Sequence, residues 1–291
     1  MDEADAGFDE NAPATTPERP ETLFHYTDAA GLRGIIWNRE LWATDRRFLN
    51  DAQERQYALE GFIPKLRRVA PVEPEDSGEE FLKMLREDFA GYRAWVEEEL
   101  RNRHFPVYVT CFSEPGDLLS AWRAYGTDHG YAVEFQADAL EDALKETPLL
   151  DTGGLKRVTY GIGAADDLFS ELLDDVSRDT NLAHMSMHAY YMAFRITAAL
   201  AAVKHPAFAE EREWRLVVAS EEHELADQIE FRASPIAVVP YIKIPFPLEA
   251  IRSVRVGPGR HVQARQQGVE RLLETKESRA RVYVSEVPLR T

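Results

Sequence analysis

Apolar positions along the chain change their period several times, and each change marks an element. Leu23-Phe24-His25-Tyr26-Thr27 is a short run of aromatics and Thr that reads as a strand. Asp28 is placed to cap a helix over 29–38, where Leu32, Ile35 and Ile36 share a face. Leu41-Trp42-Ala43-Thr44 is a second short strand, and Asn50 or Asp51 would cap a helix over 51–62. After a breaker-rich loop at 70–78, an acidic amphipathic helix is predicted over about 79–103, with Phe81, Leu85, Phe89 and Tyr92 at helical spacing. Val107 to Phe112 reads as a strand, Pro115-Gly116 as a turn, and Asp117 opens a short helix carrying Leu118, Leu119, Trp122 and Tyr125. Tyr131 to Phe135 alternates as a strand.

Helical patterns dominate from 138 to 204, interrupted by a strand at Lys156 to Tyr160. The stretch 184–204 is apolar nearly all round and predicts one long central helix. Strands return at Glu213 to Ser220, Gln228 to Arg232, Ile236 to Ile244 and Ile251 to Val256. A helix over 260–275 and a strand at Val282 to Val284 close the chain. No internal repeat and no regular βαβ alternation occurs, so the prediction is α+β with a central, mostly antiparallel sheet. Residues 1–21 read as a disordered acidic tail, and 22–291 as a single domain with helical insertions at about 70–104 and 138–205.

Charge sharpens this outline. The 291 residues carry 34 Lys plus Arg against 51 Asp plus Glu, a formal net charge of −17. Residues 1–22 account for −6, residues 71–99 for −7 and residues 165–180 for −5, whereas residues 251–291 carry +5. The deficit is therefore three local features. A broad phosphate-binding or membrane-binding surface is excluded, but a local anionic ligand is not. The single Cys excludes an intrachain disulfide framework and a multi-Cys zinc cage. No apolar run spans a bilayer and no secretory leader is read, which predicts a cytoplasmic protein.

No P-loop, nucleophile elbow, zincin or Rossmann pattern is present. Four polar segments remain at the ends of predicted strands. His25-Tyr26-Thr27 is one, and its plain structural reading is a His bonding a neighbouring backbone group. Arg46-Arg47-Phe48-Leu49-Asn50-Asp51-x-x-Glu54 is the second, which capping explains for Asp51 and Glu54 but less well for the paired arginines. The third runs from Cys111-Phe112-Ser113-Glu114 to Trp122, Arg123 and Tyr125, with Ser113 placed to face a cleft and the two aromatics suited to a core. The fourth, Glu211-Arg212-Glu213-Trp214-Arg215, is either a surface ion-pair run or a functional carboxylate at a strand mouth.

Together these segments resemble a bacterial family known only as domain-of-unknown-function family 2971. Its pattern is an H-Y-T strand, an L-N-D-x-x-E segment, a C-F-S strand leading to W-R-x-Y, and an E-x-E-W-R strand. Val239-Pro240-Tyr241-Ile242 and Val256-Gly257-Pro258 also match it, so the resemblance extends over roughly 22–260. The arrangement in turn resembles mono-ADP-ribosyltransferases. That resemblance implies a split, mostly antiparallel β-sandwich with inserted helices, and NAD as co-substrate without a metal. It implies Glu213 as the carboxylate that stabilises oxocarbenium-like charge, and Glu211 as the group that orients or deprotonates the acceptor. His25 would bond the adenosine ribose, Tyr26 or Tyr125 would stack on nicotinamide, and Thr27 and Ser113 would hold hydroxyl or amide groups. Arg46 or Arg47 would neutralise the pyrophosphate, with Asn50 and Trp122 completing the cofactor side. The implied partner is a macromolecular or nucleotide acceptor, nucleic acid included, with an antitoxin or regulator possible. Two other readings stand beside this one. The first is a non-catalytic nucleotide-binding or regulatory module. The second, ranked last, is a metal-dependent nuclease using Asp51, Glu54 and Asp117.

Overall fold

The computed structural model describes residues 19–49, 53–73, 75, 77–125, 129–145, 152–178, 185–220, 225–234 and 237–288. In chain order the first elements are β1 (Thr22–Thr27), α1 (Ala29–Asn38), β2 (Glu40–Asp45), α2 (Glu54–Leu66) and α3 (Glu79–Asn102). Next come β3 (Val107–Ser113), α4 (Leu119–Tyr125), β4 (Tyr131–Gln136), α5 (Ala137–Lys145), β5 (Thr152–Arg157) and β6 (Thr159–Tyr160). The remainder is α6 (Asp166–Arg178), α7 (Met185–Ala199), β7 (Val203–Lys204), β8 (Glu213–Ala219), β9 (Glu230–Ala233), β10 (Val238–Pro245), β11 (Ile251–Val256), α8 (Val262–Thr275) and β12 (Arg281–Val284).

The main sheet is mixed α+β architecture's expected antiparallel core, and it forks. Strand β3 pairs along its whole length with β8, which pairs in turn with β5. A strand has only two edges, so β1 and β2 must share the other edge of β3. Thr44 and Asp45 of β2 face Val109 and Tyr108, and Phe24 of β1 faces Ser113. One arm continues from β1 through β4 and β11 to β12, and the other from β2 through β10 to β9. All pairs in this sheet are antiparallel except β11 with β12. Strands β6 and β7 form a separate parallel pair.

The fork leaves backbone groups of β3 between Val109 and Ser113 without a ladder on that edge, and buried carbonyls need partners. Side chains bridge the fork, one to a carbonyl of β3 and one from β3 to a carbonyl of β2. His25 Nδ1 donates to the Cys111 carbonyl at 2.8 Å, and Thr110 Oγ1 donates to the Trp42 carbonyl at 3.2 Å. Because a carbonyl only accepts, this bond fixes a proton on Nδ1.

Alternation along β8 divides the molecule into two cores. Trp214, Leu216 and Val218 face a core shared by both arms, with Leu23, Leu41, Phe135, Ile242 and Val254. Val217 and Ala219 face the opposite side, where α2, α3, α6 and α7 pack through Phe62, Phe89, Phe169 and Phe194. Glu213 and Arg215 have the same parity as Val217 and so point to this helical side.

Local signals behave as physics expects. Asp28 accepts from Gly31 N at 2.7 Å to cap α1. On α3 the buried stripe is Leu85, Phe89, Tyr92, Val96 and Leu100, whereas Phe81, expected on it, is exposed. The long helix expected over 184–204 ends at Ala199, passes through a 3-10 turn at Leu200–Ala202, and becomes β7. The expected strand at Lys156 to Tyr160 breaks at Val158, whose N–H bonds the Glu213 carbonyl at 2.9 Å. The helix expected over 51–62 is Glu54–Leu66, and its capping candidates Asn50 and Asp51 lie outside the described residues. The acidic tail also lies outside them as far as residue 18. Residues 19–21 are fixed: Arg19 ion-pairs with Asp138 and Glu141, and the Glu21 carbonyl accepts from Ala137 N at 3.0 Å. Among the described residues no helix is long and apolar enough to cross a membrane.

The Val256-Gly257-Pro258 turn tests this packing. A Cβ at Gly257 would lie 2.8 Å from the Gly130 carbonyl oxygen and 2.8 Å from the Trp122 ring. Gly257→Ala is expected to lower unfolding free energy by about 1–3 kcal/mol, read from urea denaturation with an unchanged m-value.

Candidate functional site

Beside the fork, on the helical side of β3 and β8, five charged groups meet. Strand β7 brings Lys204. The 3-10 turn Pro206–Glu211 then ends on Arg212 in the left-handed region, at φ 42°, and this reversal feeds the chain into β8. Glu211, Glu213 and Arg215 follow at alternate positions. Lys204 Nζ lies 2.9 Å from Glu211 Oε2, 3.0 Å from Glu213 Oε2 and 3.4 Å from Glu54 Oε1. Arg215 Nε donates to Glu213 Oε1 at 2.7 Å and its Nη1 lies 2.8 Å from Glu54 Oε2. Nη1 also donates to the Ala201 carbonyl at 2.7 Å. Tyr160 completes the cradle by accepting the Glu213 N–H at 2.7 Å.

Lys204, Glu213 and Arg215 are each no more than 4% exposed, so electrostatics in the cluster are strong. Burial alone would raise the Glu213 carboxyl, but Arg215 and Lys204 outweigh it and hold it at about 2. Glu211 moves the other way: burial and the Glu213 charge raise it, with Lys204 opposing. Burial and Glu213 push the Cys111 thiol well up, which leaves it protonated and bonded toward Glu213. Burial pushes Arg46 down to about 10, helped by the nearby Arg215.

The structure brings some sequence candidates together and separates others. Ser113, Glu211 and Glu213 gather at the mouth of β8, with Tyr125 near enough to Glu211 for its hydroxyl pKa to be raised by burial and by that carboxylate. His25 has the parity of Leu23, lies 5.7 Å from the Phe112 ring, and so points to the other core, touching this side only through the Cys111 carbonyl. Ser113 Oγ donates to the Glu211 carbonyl at 2.5 Å, so it fastens β3 to the turn. Burial pushes the His25 imidazole below its ordinary value, against its bond to the Cys111 carbonyl. Thr27 ends β1 half-buried, its hydroxyl 2.0 Å from where a Cβ on Gly31 would stand. Arg46 Nη1 donates to the Thr197 carbonyl at 2.8 Å, and the exposed Arg47 folds back on Asp45 with Nε at 3.0 Å. Asn50 lies outside the described residues.

Tyr26 and Trp122 correct the expected cofactor set. Both are buried, edge to face at 4.8 Å, in a small core with Ala121 and Ala132. The Tyr26 hydroxyl donates to the Pro115 carbonyl at 2.8 Å and accepts from Leu118 N at 3.0 Å. Trp122 Nε1 donates to Asp117 at 2.8 Å. These rings and polar tips are used in packing. Glu54 is a second correction, since it belongs to the ion cluster rather than to a capping box. Asp117, offered as a metal ligand in the nuclease reading, instead accepts from Ser285 Oγ at 2.5 Å and Glu286 N at 2.9 Å. Among the described residues no group of three or more His, Cys, Asp and Glu could hold a metal ion. Several bases of the C-terminal region have partners within the chain: Arg252 pairs with Glu21 and Arg271 with Glu274, both exposed, and Arg265 donates to the Gly257 and Gly130 carbonyls. A groove of about 280 Å³ between α2 and α3, lined by Arg55, Leu59, Ile63 and Arg67 among others, shares no residue with the cluster.

Sequence reasoning missed Lys204 and Tyr160. The signal for Lys204 was a cation at the end of an apolar run that otherwise reads as buried.

Residues 121–216 match the family model described as "Protein of unknown function (DUF2971)". The chain therefore resembles that family over a stretch holding the W-R-x-Y helix and the E-x-E-W-R strand, while His25 and Ser113 fall before it. The solved structure "Thermus sp. 2.9 DarT in complex with ADP-ribosylated ssDNA" is similar over 92% of this chain and 95% of that chain, at 14% identity and a TM-score of 0.35. A score of that size carries neither fold nor chemistry across. No curated protein matches the chain.

Two outcomes follow from the cluster. Arg215→Met strips Glu213 and Glu54 of their guanidinium and is expected to cost about 3–5 kcal/mol of stability at pH 7, measured by denaturant unfolding. Glu213, held down at about 2 against an ordinary 4.5, contributes stability in full above pH 4.5. That contribution is lost as pH falls toward 2, and Glu213→Gln should flatten the acid side of a Tm-against-pH curve.

Proposed function

We propose that this protein is an NAD-dependent mono-ADP-ribosyltransferase of the cytoplasm, a toxin or defence effector that modifies a macromolecular or nucleotide acceptor. The observation that carries the reading is the convergence of Ser113, Tyr125, Glu211 and Glu213 at the mouth of β8, with His25 bonded to the β3 backbone at Cys111. NAD supplies an ADP-ribosyl group whose transfer builds positive charge at the anomeric carbon. Glu213, ionised throughout the physiological range, is suited to stabilise that charge more strongly than it stabilises the ground state. Glu211, raised toward neutrality and less deeply buried, is suited to take the acceptor's proton.

On the cofactor side the set narrows. His25 keeps Nε2 for a ribose hydroxyl while Nδ1 holds Cys111. Tyr125 takes the aromatic role in place of Tyr26. Arg46 or Arg47 faces the pyrophosphate. Thr27 is at the end of β1 beside His25.

One observation favours a second reading, a non-catalytic nucleotide-binding or regulatory module. Both oxygens of Glu213 are already bonded to Arg215 and Lys204 at 3% exposure. Transfer therefore requires Glu213 to exchange one of these bonds for a ribose hydroxyl.

The two readings separate on one assay. Incubation with NAD and cell lysate is expected to release nicotinamide, and Glu213→Gln is expected to lower the rate by about a hundredfold or more. Mass spectrometry then identifies what gains an ADP-ribose unit. A thermal shift with NAD that disappears in His25→Ala, with no nicotinamide released under any acceptor condition, would establish the binding module instead.

A further inference from the structure

The transfer reading gives no task to Lys204, although that residue touches both Glu211 and Glu213. We propose that Lys204 is a positioning residue for the Glu211–Glu213 pair: its shared ammonium holds both carboxylates on one point and in one orientation. The proposal rests on the transfer reading for its effect on turnover, but its geometry stands apart from it.

An ammonium has three donors and no acceptor. Here it meets three carboxylates, Glu211 at 2.9 Å, Glu213 at 3.0 Å and Glu54 at 3.4 Å. The Phe208 ring lies 4.7 Å away, and the side chain is almost wholly removed from water. The amine therefore has no hydration shell to fall back on, and burial's tendency to neutralise it is overcome by Glu213 and Glu211. Because Glu211 Oε2 and Glu213 Oε2 reach the same nitrogen, they stand within about 6 Å of each other. At such a separation two carboxylates repel, and one tends to take a proton unless a cation lies between them.

The partners are not shared equally. Glu213 has Arg215 as a second cation, bonded through Nε at 2.7 Å and Nη2 at 3.1 Å. Glu211 hydrogen-bonds Lys204 and only feels Arg215 at a distance. The other groups facing the pair are Glu54 from α2, the Cys111 thiol from β3, the Tyr125 hydroxyl from α4 and the Tyr160 hydroxyl from β6. None of these is a cation. Removing Lys204 thus leaves Glu213 paired with Arg215 and Glu211 with no bonded cation, only the more distant Arg215. Glu211 loses its anchor, and its carboxyl is pushed further up.

The backbone supports the same assignment. Tyr160 faces Lys204 across the two-residue β6–β7 pairing. One of these residues holds the Glu213 N–H and the other its carboxylate. This pair lies outside the main sheet, and its contribution to the site is to brace the mouth of β8.

The test is a pH titration of side-chain carboxylates by carbon-13 NMR on the full chain, with Glu211 assigned through Glu211→Gln. In Lys204→Met the Glu211 midpoint is expected to rise by roughly one pH unit or more, and the acid limb of nicotinamide release should rise with it. Lys204→Arg, which keeps a cation, should restore both. A folded Lys204→Met protein with an unmoved Glu211 midpoint overturns the proposal. If Lys204→Met does not fold, the wild type decides: the Lys204 Nζ nitrogen-15 resonance should step at the Glu211 midpoint, and the step should vanish in Glu211→Gln. Absence of that step in the wild type also overturns it. A midpoint that moves while neither protein releases nicotinamide keeps Lys204 in its role and removes the transfer reading. Nicotinamide release with an unmoved midpoint does the reverse.

Discussion

Strand β3 has two edges and three neighbouring strands, and hydrogen-bond satisfaction shapes what surrounds it. One edge is filled by β8. The other is divided between β1 and β2, which leaves a gap in the ladder near Cys111. An unmet buried carbonyl costs free energy comparable to a lost hydrogen bond. His25 closes the gap from β1, and Thr110 closes a second one toward β2. The gap is therefore a place where side chains replace backbone. That substitution ties His25 to the backbone of β3, whose Cys111 and Ser113 side chains turn to the helical side.

The charged cluster obeys a different constraint. Three carboxylates and two cations are withdrawn from water in a space next to an apolar helical core. Desolvation of so many charges costs several kcal/mol for each ion, and only dense pairing offsets it. The pairing is dense: Glu54 and Glu213 each touch both cations, and the Ala201 carbonyl takes one more guanidinium donor. Such a network is an expensive way to hold a fold together, since apolar residues of similar volume would serve as well or better. Its place at the mouth of β8, with Glu211 at its wetter end, suits a site more than a scaffold.

Much of the fold could be read from the sequence where a period was intact. The strands around His25, Cys111, Val133, Leu216 and Val254 and the α3 stripe follow from alternation or from helical spacing. Reading failed where an apolar run carried no internal break. The run from 184 to 204 is apolar whether it is helix, 3-10 turn or strand, so its pattern held no boundary at Ala199. The same blindness hid Lys204. The carboxylates were legible only through the resemblance carried by the E-x-E-W-R run, whereas Glu54 matched a capping box and concealed a contact 161 positions away in sequence. Tyr26 and Trp122 misled in the opposite direction, because an amphipathic ring in a core and one in a cleft have the same sequence signature.

The pairing of β3 with β8 also sets a timetable for the chain. Ser113 faces Glu213 across a hundred residues of intervening sequence, and β5 joins from between them. Closing contacts over so long a loop is entropically costly and slow compared with forming local helices. A nascent chain that has emerged as far as α7 contains His25, Glu54, Cys111 and Ser113 but neither member of the carboxylate pair. The cluster is assembled only after β7 and β8 arrive. Until then β3 shows a bare edge to its surroundings, the condition in which strands pair with the wrong partner.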